Sequence, residues 1–251
     1  MNDHPWNRHV GLSIVIPLHN SSMVLARTIE RWLAYLSHGR TEIILVENGS
    51  TDLTWPLAQE LAKDTPHVRF RLAQSEKGMG NALRVGIEMS TAPLVLLTAD
   101  DLPFDFTDVD EARKLDPRPH IIIGSKAHPG SQINRHVHRH LYTYGYRVFR
   151  RALLGSEVGD SQGTIIADGD WLRENVSLFT EPGFLFTTQL IYAAELQGLS
   201  IAEVPVVLSK DHAPKPSTVR ISDAWDMGVG LLRLRRARRA LSVQQSPEVV
   251  A

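Results

Sequence analysis

The sequence predicts an α/β protein: a mostly parallel sheet with helices on both faces, folded as a single domain. Three observations carry this prediction. Short β-branched runs alternate with helix-period segments through the first half of the chain, the rhythm that builds parallel sheets through right-handed crossovers. The apolar runs end in polar or acidic residues, Pro17-Leu18-His19-Asn20, Glu47-Asn48-Gly49-Ser50 and Thr98-Ala99-Asp100-Asp101. In such sheets ligands sit outside the carboxyl ends of the strands. No repeat or linker divides the 251 residues, and a chain of this size can enclose one core unaided.

The elements follow in order. Residues 12–18, LSIVIPL, are short and β-branched, end at Pro17, and read as a buried strand. Residues 22–37 place Val24, Leu25, Ile29, Trp32, Leu33 and Leu36 on one helical face. EIILVEN (42–48) is the next strand, and residues 51–63 a helix with Pro56 near its first turns. VRFRLAQ (68–74) is a weaker strand, residues 79–90 a helix opening after Gly78, and PLVLLTAD (93–100) a strand with an acidic end. The second half is less regular. HIIIGSKA (120–127) reads as a strand, 134–154 as a helix rich in His, Arg and Tyr, and GTIIADGDWL (163–172) as a strand turning into a short helix. Residues 186–197 read as a helix, and 199–208 as an edge strand because of Pro205. A polar loop over 209–219 leads to a last helix at 221–240. Residues 1–11 are expected to be flexible and 241–251 disordered.

Composition removes several classes of function. The absence of cysteine excludes disulfide scaffolds, thiolate metal sites and a cysteine nucleophile. Lys+Arg 27 against Asp+Glu 28 gives a net charge of −1, which argues against a nucleic-acid-coating protein. No apolar run approaches the roughly 20 residues that span a bilayer. The opening MNDHPWNRHV has no apolar signal-peptide core, which points to a cytoplasmic location.

The candidate chemistry lies at the strand ends and in the second half. Asp100 and Asp101 close an apolar strand, where carboxylate oxygens suit Mg²⁺ or Mn²⁺ completed by substrate phosphates; an acidic turn or helix cap accounts for the pair equally well. Gly78 and Gly80 precede a helix, a geometry that can hold phosphate or merely start the helix. Asp160, in EVGDSQGT, can serve as general base for an acceptor or orient it, or simply shape a turn. His136 and His140 are spaced i,i+4, but the interleaved arginines oppose a cation. Arg135, Arg139, Arg147, Arg150 and Arg151 instead suit a phosphate-facing surface.

Taken together, LSIVIPLHN, EIILVENGSTDLT, KGMGNALRVGI, TADDL, IIIGSKA, GDSQGTIIA, IAEVPVVL and PSTVRISDAWDMGVGLLRLR resemble, in order and spacing, the family 2 glycosyltransferases of GT-A fold. Within them the chain looks most like the polyprenyl-phosphate (dolichyl-phosphate mannose and glucose) synthases, and the resemblance covers about residues 12–235. It implies a GT-A domain over 12–220, with a nucleotide-sugar half at 12–105 and an acceptor half at 106–220. It implies a nucleoside diphosphate sugar held by Pro17, Asn20, Glu47, Asn48, Gly78, Asn81 and Asp100. Asp101, with Asp100, would hold a Mg²⁺ or Mn²⁺ ion bridging the diphosphate. Asp160 would act near the acceptor as base or orienter. Lys126, Arg135, Gln162, Lys210 and Arg220 would hold phosphate on the acceptor side, and an inverting displacement would yield a β-linked product.

The chain departs from the family pattern at several positions. Ser21 stands where an acidic residue usually follows I-P-x-x-N, and Glu47 and Asn48 replace two aspartates. Gapless matching puts Ala99 and Asp101 on the D-x-D, while a one-residue shift would pair Thr98 with Asp100. Thr187 and Gln189 stand where the glucose-synthase branch is often acidic. In the 221–240 helix, Leu231, Leu232 and Leu234 precede Arg233, Arg235, Arg236, Arg238 and Arg239 in a basic amphipathic pattern. That pattern suits peripheral contact with an anionic membrane, or a solvated helix end. The leading acceptor is therefore a polyprenyl phosphate at the cytoplasmic membrane surface. The alternatives are a soluble small-molecule acceptor, or a nucleotide-sugar-binding protein with weakened catalysis.

Overall fold

The structure, a computed structural model, describes residues 11–36, 41–63, 68–133, 137–209 and 221–243. Its strands are β1 (Leu12–Leu18), β2 (Thr41–Glu47), β3 (Arg69–Gln74), β4 (Leu94–Leu97), β5 (Ile121–Ser125), β6 (Thr164–Asp168) and β7 (Ile201–Pro205). They form one sheet in the order β3-β2-β1-β4-β6-β5-β7. Pairing is parallel except at β6, which runs antiparallel to both β4 and β5. The predicted edge position of 199–208 holds: β7 borders the sheet through β5 alone, where a proline removes no shared ladder bond.

The helices are α1 (Leu25–Tyr35), α2 (Thr54–Lys63), α3 (Met79–Met89), α4 (Thr107–Ala112), α5 (Val137–Leu154), α6 (Gly169–Asn175), α7 (Leu185–Leu196), α8 (Ile221–Arg236) and α9 (Arg238–Leu241). Alternating strand residues feed two cores, one on each face of the sheet. Val15, Ile44, Val46, Val95 and Ile165 pack with α3, α6, α7 and α8. Ile14, Ile16, Ile43, Leu45 and Leu96 pack with α1, α2 and α4. Period-two alternation inside an almost wholly apolar run is what a sheet covered on both faces demands.

Three local expectations are corrected. The 93–100 strand ends at Leu97; the Thr98 N–H still reaches the Val15 carbonyl at 3.1 Å, and the chain then turns through Asp100 and Asp101. Residues 107–112 form α4, too short for a periodic signal, with Asp108 and Asp110 in its first turn complementing the helix dipole. The final helix is broken at Ala237, and its apolar side faces inward: Leu231 and Leu234 are 0% and 1% exposed, and Leu241 is also buried. Those three leucines close the protein core, while Leu232 and Val229 on α8 are 45% and 42% exposed. Leu241–Val243 are described and begin in a helix, whereas residues 244–251 lie outside the described residues. Among the described residues no helix is long and apolar enough to cross a membrane.

Candidate active site

Because β1, β2, β4 and β5 all run in one direction, their carboxyl ends share one edge of the sheet. The antiparallel β6 starts there as well. A cavity of about 730 Å³ opens at that edge. Pro17, Asn48, Thr98, Lys126 and Thr164 bring one wall residue from each of those five strands or their immediate ends. The sequence-predicted Gly78, Asp100, Asp101 and Gln162 also line it. Asn20, Glu47, Asn81 and Asp160 stand just behind the wall. Arg135, Lys210 and Arg220 lie outside the described residues, as does His136.

The wall made by β1 and β2 is laced with hydrogen bonds, mostly from amide and hydroxyl groups. Asn48 donates its side-chain amide to the Leu18 carbonyl at 2.8 Å and accepts the Gly78 N–H at 3.1 Å. An aspartate accepts only, so asparagine is the residue this double role requires. Asn20 gives its N–H to the Ser50 hydroxyl and takes the Thr51 N–H, at 3.0 and 2.9 Å. Glu47 accepts the Ser50 N–H and, at 2.9 Å, the Gln74 amide. Burial pushes the Glu47 carboxyl up, but the N–H donors of Ser50 and Gly49 and the Gln74 amide outweigh burial and hold it below the ordinary value. Glu47 therefore fixes the loop that carries Asn48.

The acidic pair divides its work. The Asp100 carboxylate accepts the Ser21 hydroxyl, and its carbonyl accepts the Thr28 hydroxyl at 2.7 Å. A donor at position 21 suits this contact, where a second carboxylate would repel. Asp101 lines the cavity beside it. The structure thus ties Asp100 back to the β1–α1 turn.

The start of α3 is occupied by protein. The amides of Gly80 and Asn81 both donate to the Pro182 carbonyl, at 2.8 and 3.2 Å. A Cβ on Gly80 would stand 2.1 Å from the Glu181 carbonyl oxygen, so its glycine permits close approach between two chain segments. Asn81 donates to the Lys77 carbonyl and accepts from Arg84. The helix N-terminus that the sequence offered as a phosphate cradle instead seats the 181–184 segment, whose Gly183 and Phe184 form another wall. Phe184 is 70% exposed there. Glu181 is anchored in turn by Arg233 of α8, at 2.8 and 3.1 Å.

On the cavity wall, the Lys126 ammonium is 3.1 Å from the Asp160 carboxylate and 3.1 Å from the Gln162 carbonyl. Asp160 also accepts the Lys126 and Gln162 N–H groups, at 3.1 and 3.0 Å, and is 8% exposed. Asp108 on α4 lies deeper, hydrogen-bonded to Thr164 of the wall; burial pushes its carboxyl up to about 6. Among the described residues no three His, Asp or Glu side chains converge as a closed metal cage. Asp101 with Asp100 nonetheless fits Mg²⁺ or Mn²⁺ of the kind held by one or two carboxylates and completed by substrate phosphates.

Sequence reasoning missed His19, Lys77, Thr164, Gly183 and Phe184, all of which line the cavity. His19 and Lys77 adjoin residues already singled out, Asn20 and Gly78, and were within reach of the same motifs. Gly183 and Phe184 carry no such signal, since a contact between distant segments places them.

The sequence profile of Glycosyl transferase family 2 matches residues 13–174. A human protein named dolichyl-phosphate beta-glucosyltransferase is 28% identical over 94% of this chain and 78% of its own length. A Saccharomyces cerevisiae protein of the same name is 23% identical over 82% of this chain and 69% of its own length. Among solved structures, glucosyl-3-phosphoglycerate synthase from Mycobacterium tuberculosis in complex with uridine diphosphate aligns with a TM-score of 0.62 at 19% identity, covering 92% of this chain and 80% of that one.

Proposed function

Since the chain belongs to glycosyl transferase family 2 and is a transferase of GT-A fold, we propose that it moves a sugar, with inversion, from a nucleoside diphosphate sugar to a polyprenyl phosphate. The observation that carries this reading is that Asp101 and Lys126, the latter ion-paired with Asp160, line one cavity. Asp101, with Asp100, would hold a divalent ion, which would supply positive charge to offset that of the departing nucleoside diphosphate. Asn48, Pro17 and Gly78 line the side where the base and ribose would lie.

An acceptor phosphate oxygen is already an anion near neutral pH. It attacks the anomeric carbon, the bond from that carbon to the diphosphate oxygen breaks, and the nucleoside diphosphate leaves with the bonding electron pair. Attack opposite the leaving group turns an α-linked donor into a β-linked product. This nucleophile has no proton to lose, so Asp160 acts as an orienter: it holds the Lys126 ammonium where the acceptor phosphate must sit. The relatives named dolichyl-phosphate beta-glucosyltransferase support both the acceptor and the β linkage.

The test is transfer of labelled glucose from UDP-glucose, with Mn²⁺, to farnesyl phosphate in micelles. Lipid-linked label that requires metal is the expected result, and label released only as free glucose would overturn the reading. A second reading, a soluble phosphate-bearing acceptor, is favoured by the inward orientation of Leu231 and Leu234. Preferential transfer to 3-phosphoglycerate in the same assay would select it.

A further inference from the structure

The loop that carries Asp160, residues 155–162, is fastened at nearly every residue by a charged or hydroxyl side chain from elsewhere in the fold. Arg150, 1% exposed near the end of α5, donates to the Ser156 hydroxyl at 3.1 Å and to the Val158 carbonyl. Glu195 of α7 accepts the Ser156 hydroxyl and the Glu157 N–H, each at 3.0 Å. Thr188, also on α7, shares hydrogen bonds of 2.9 Å with Ser161 and Tyr146. The last fastening is Glu203 of β7. One of its carboxylate oxygens accepts the Gly159 N–H at 2.8 Å and the other the Asp160 N–H at 3.0 Å.

Two consecutive amides aimed at one carboxylate fix the peptide plane between them, and with it the direction in which Asp160 leaves the chain. Both amides need an acceptor, and only an ionised carboxylate offers one to each in this geometry. Gly159 is part of the device. A Cβ there would stand 3.0 Å from the Ala127 methyl carbon and 3.0–3.1 Å from the Glu203 carboxylate oxygens, so a side chain would push the two apart.

We propose that Glu203 is a positioning residue for transfer to the acceptor: bound to the Gly159 and Asp160 amides, it sets the Asp160 carboxylate against Lys126 and so fixes the ammonium on the cavity wall. The inference rests on the transferase reading above. Glu203 does not line the cavity, and it acts through Asp160 and Lys126.

Two substitutions test it. Glu203→Gln keeps shape and volume but turns an amide donor toward one of the two N–H groups. Gly159→Ala leaves Glu203 intact and displaces the backbone from the other side. Both are compared with wild type, well below their unfolding temperatures, by three measurements. Hydrogen exchange at the Gly159 and Asp160 amides should quicken in both variants. Binding of uridine diphosphate with Mn²⁺ should stay within about twofold of wild type, because the donor wall is untouched. Turnover of UDP-glucose onto farnesyl phosphate or 3-phosphoglycerate should fall roughly 10- to 100-fold in kcat, the scale of a misplaced positioning group. A merely structural glutamate would lower the unfolding temperature and leave kcat of the folded enzyme unchanged, which would overturn the inference alone. Wild-type turnover of neither acceptor would bring down the transferase reading, and the inference with it.

Discussion

The two sides of the cavity are built on different principles. The β1–β2 side is held mostly by neutral amide and hydroxyl groups anchored on the Glu47 and Asp100 carboxylates: Asn20, Ser21, Asn48, Ser50 and Thr51 bond between loops at neighbouring strand ends. The Asp160 side is held by charged side chains, with Arg150 reaching from the end of α5 and Glu195 and Glu203 from α7 and β7. The difference shows in what each can lose. A neutral amide removed from a turn leaves one orphaned N–H. A charge removed from the buried set leaves its partners uncompensated in a poorly solvated place. Glu203, Glu195 and Asp160 all lie in the field of Arg150, whose own pKa burial pulls downward.

Arg150→Met should show the contrast most strongly. It keeps much of the packing volume and strands the Ser156 and Val158 acceptors, so it should cost about 3–5 kcal/mol in urea unfolding. A loss below about 1 kcal/mol would mean that the charged side is no more demanding than the neutral one. Next comes Asp101→Asn, expected to lower metal-dependent transfer on the order of 100- to 1000-fold with little change in unfolding midpoint. Equal activity with and without Mn²⁺ in wild type would remove the metal role assigned to Asp101.

Asp108 sharpens the comparison by sign. Its folded pKa of about 6 lies above the unfolded value, so the ionised form is disfavoured in the fold. Its destabilising contribution is full above about pH 6 and disappears as pH falls toward 4. Asp108→Asn should therefore raise stability at pH 8 by up to about 3 kcal/mol, with the gain vanishing near pH 4. A gain that did not vary with pH would refute this assignment. The smallest effect belongs to the neutral wall. Asn48→Asp removes the donor to Leu18 and sets a carboxylate against its carbonyl, for a loss of about 1–2 kcal/mol in unfolding and a weaker grip on uridine diphosphate. A loss as large as that of Arg150→Met would erase the distinction.

The same division governs what the sequence made legible. Strands β1, β2 and β4 announce themselves because a sheet covered on both faces needs unbroken apolar runs, and the polar residues that end those runs are the cavity wall. Asn48 and Asp101 were therefore readable from position, as residues that close such runs. Asp160 was readable only through its motif. The groups that hold it were not, because Arg150, Glu195 and Glu203 are separated by stretches of ordinary helix and strand and meet only when the sheet closes. Leu231 and Leu234 misled for a related reason. A stripe of leucines among arginines has the same periodicity whether it faces lipid or a core, and here the core takes Leu231 and Leu234 while Leu232 stays exposed. Arginine behaved likewise: Arg150, grouped by sequence with a phosphate-facing surface, is buried against Ser156 and Val158.

The Pro182 carbonyl that receives the first amides of α3 has a consequence for how the molecule comes into being. During synthesis, β1 through α3 leave the ribosome long before residue 182 does. Until then the helix start that borders the cavity has its donors directed at water, and β4 lacks its β6 neighbour. The nascent first half must wait, with one sheet edge open and one helix uncapped, for a segment about a hundred residues downstream. The cavity wall is therefore completed only once Pro182 has emerged, and a ribosome stalled before it would expose a chain unable to close it.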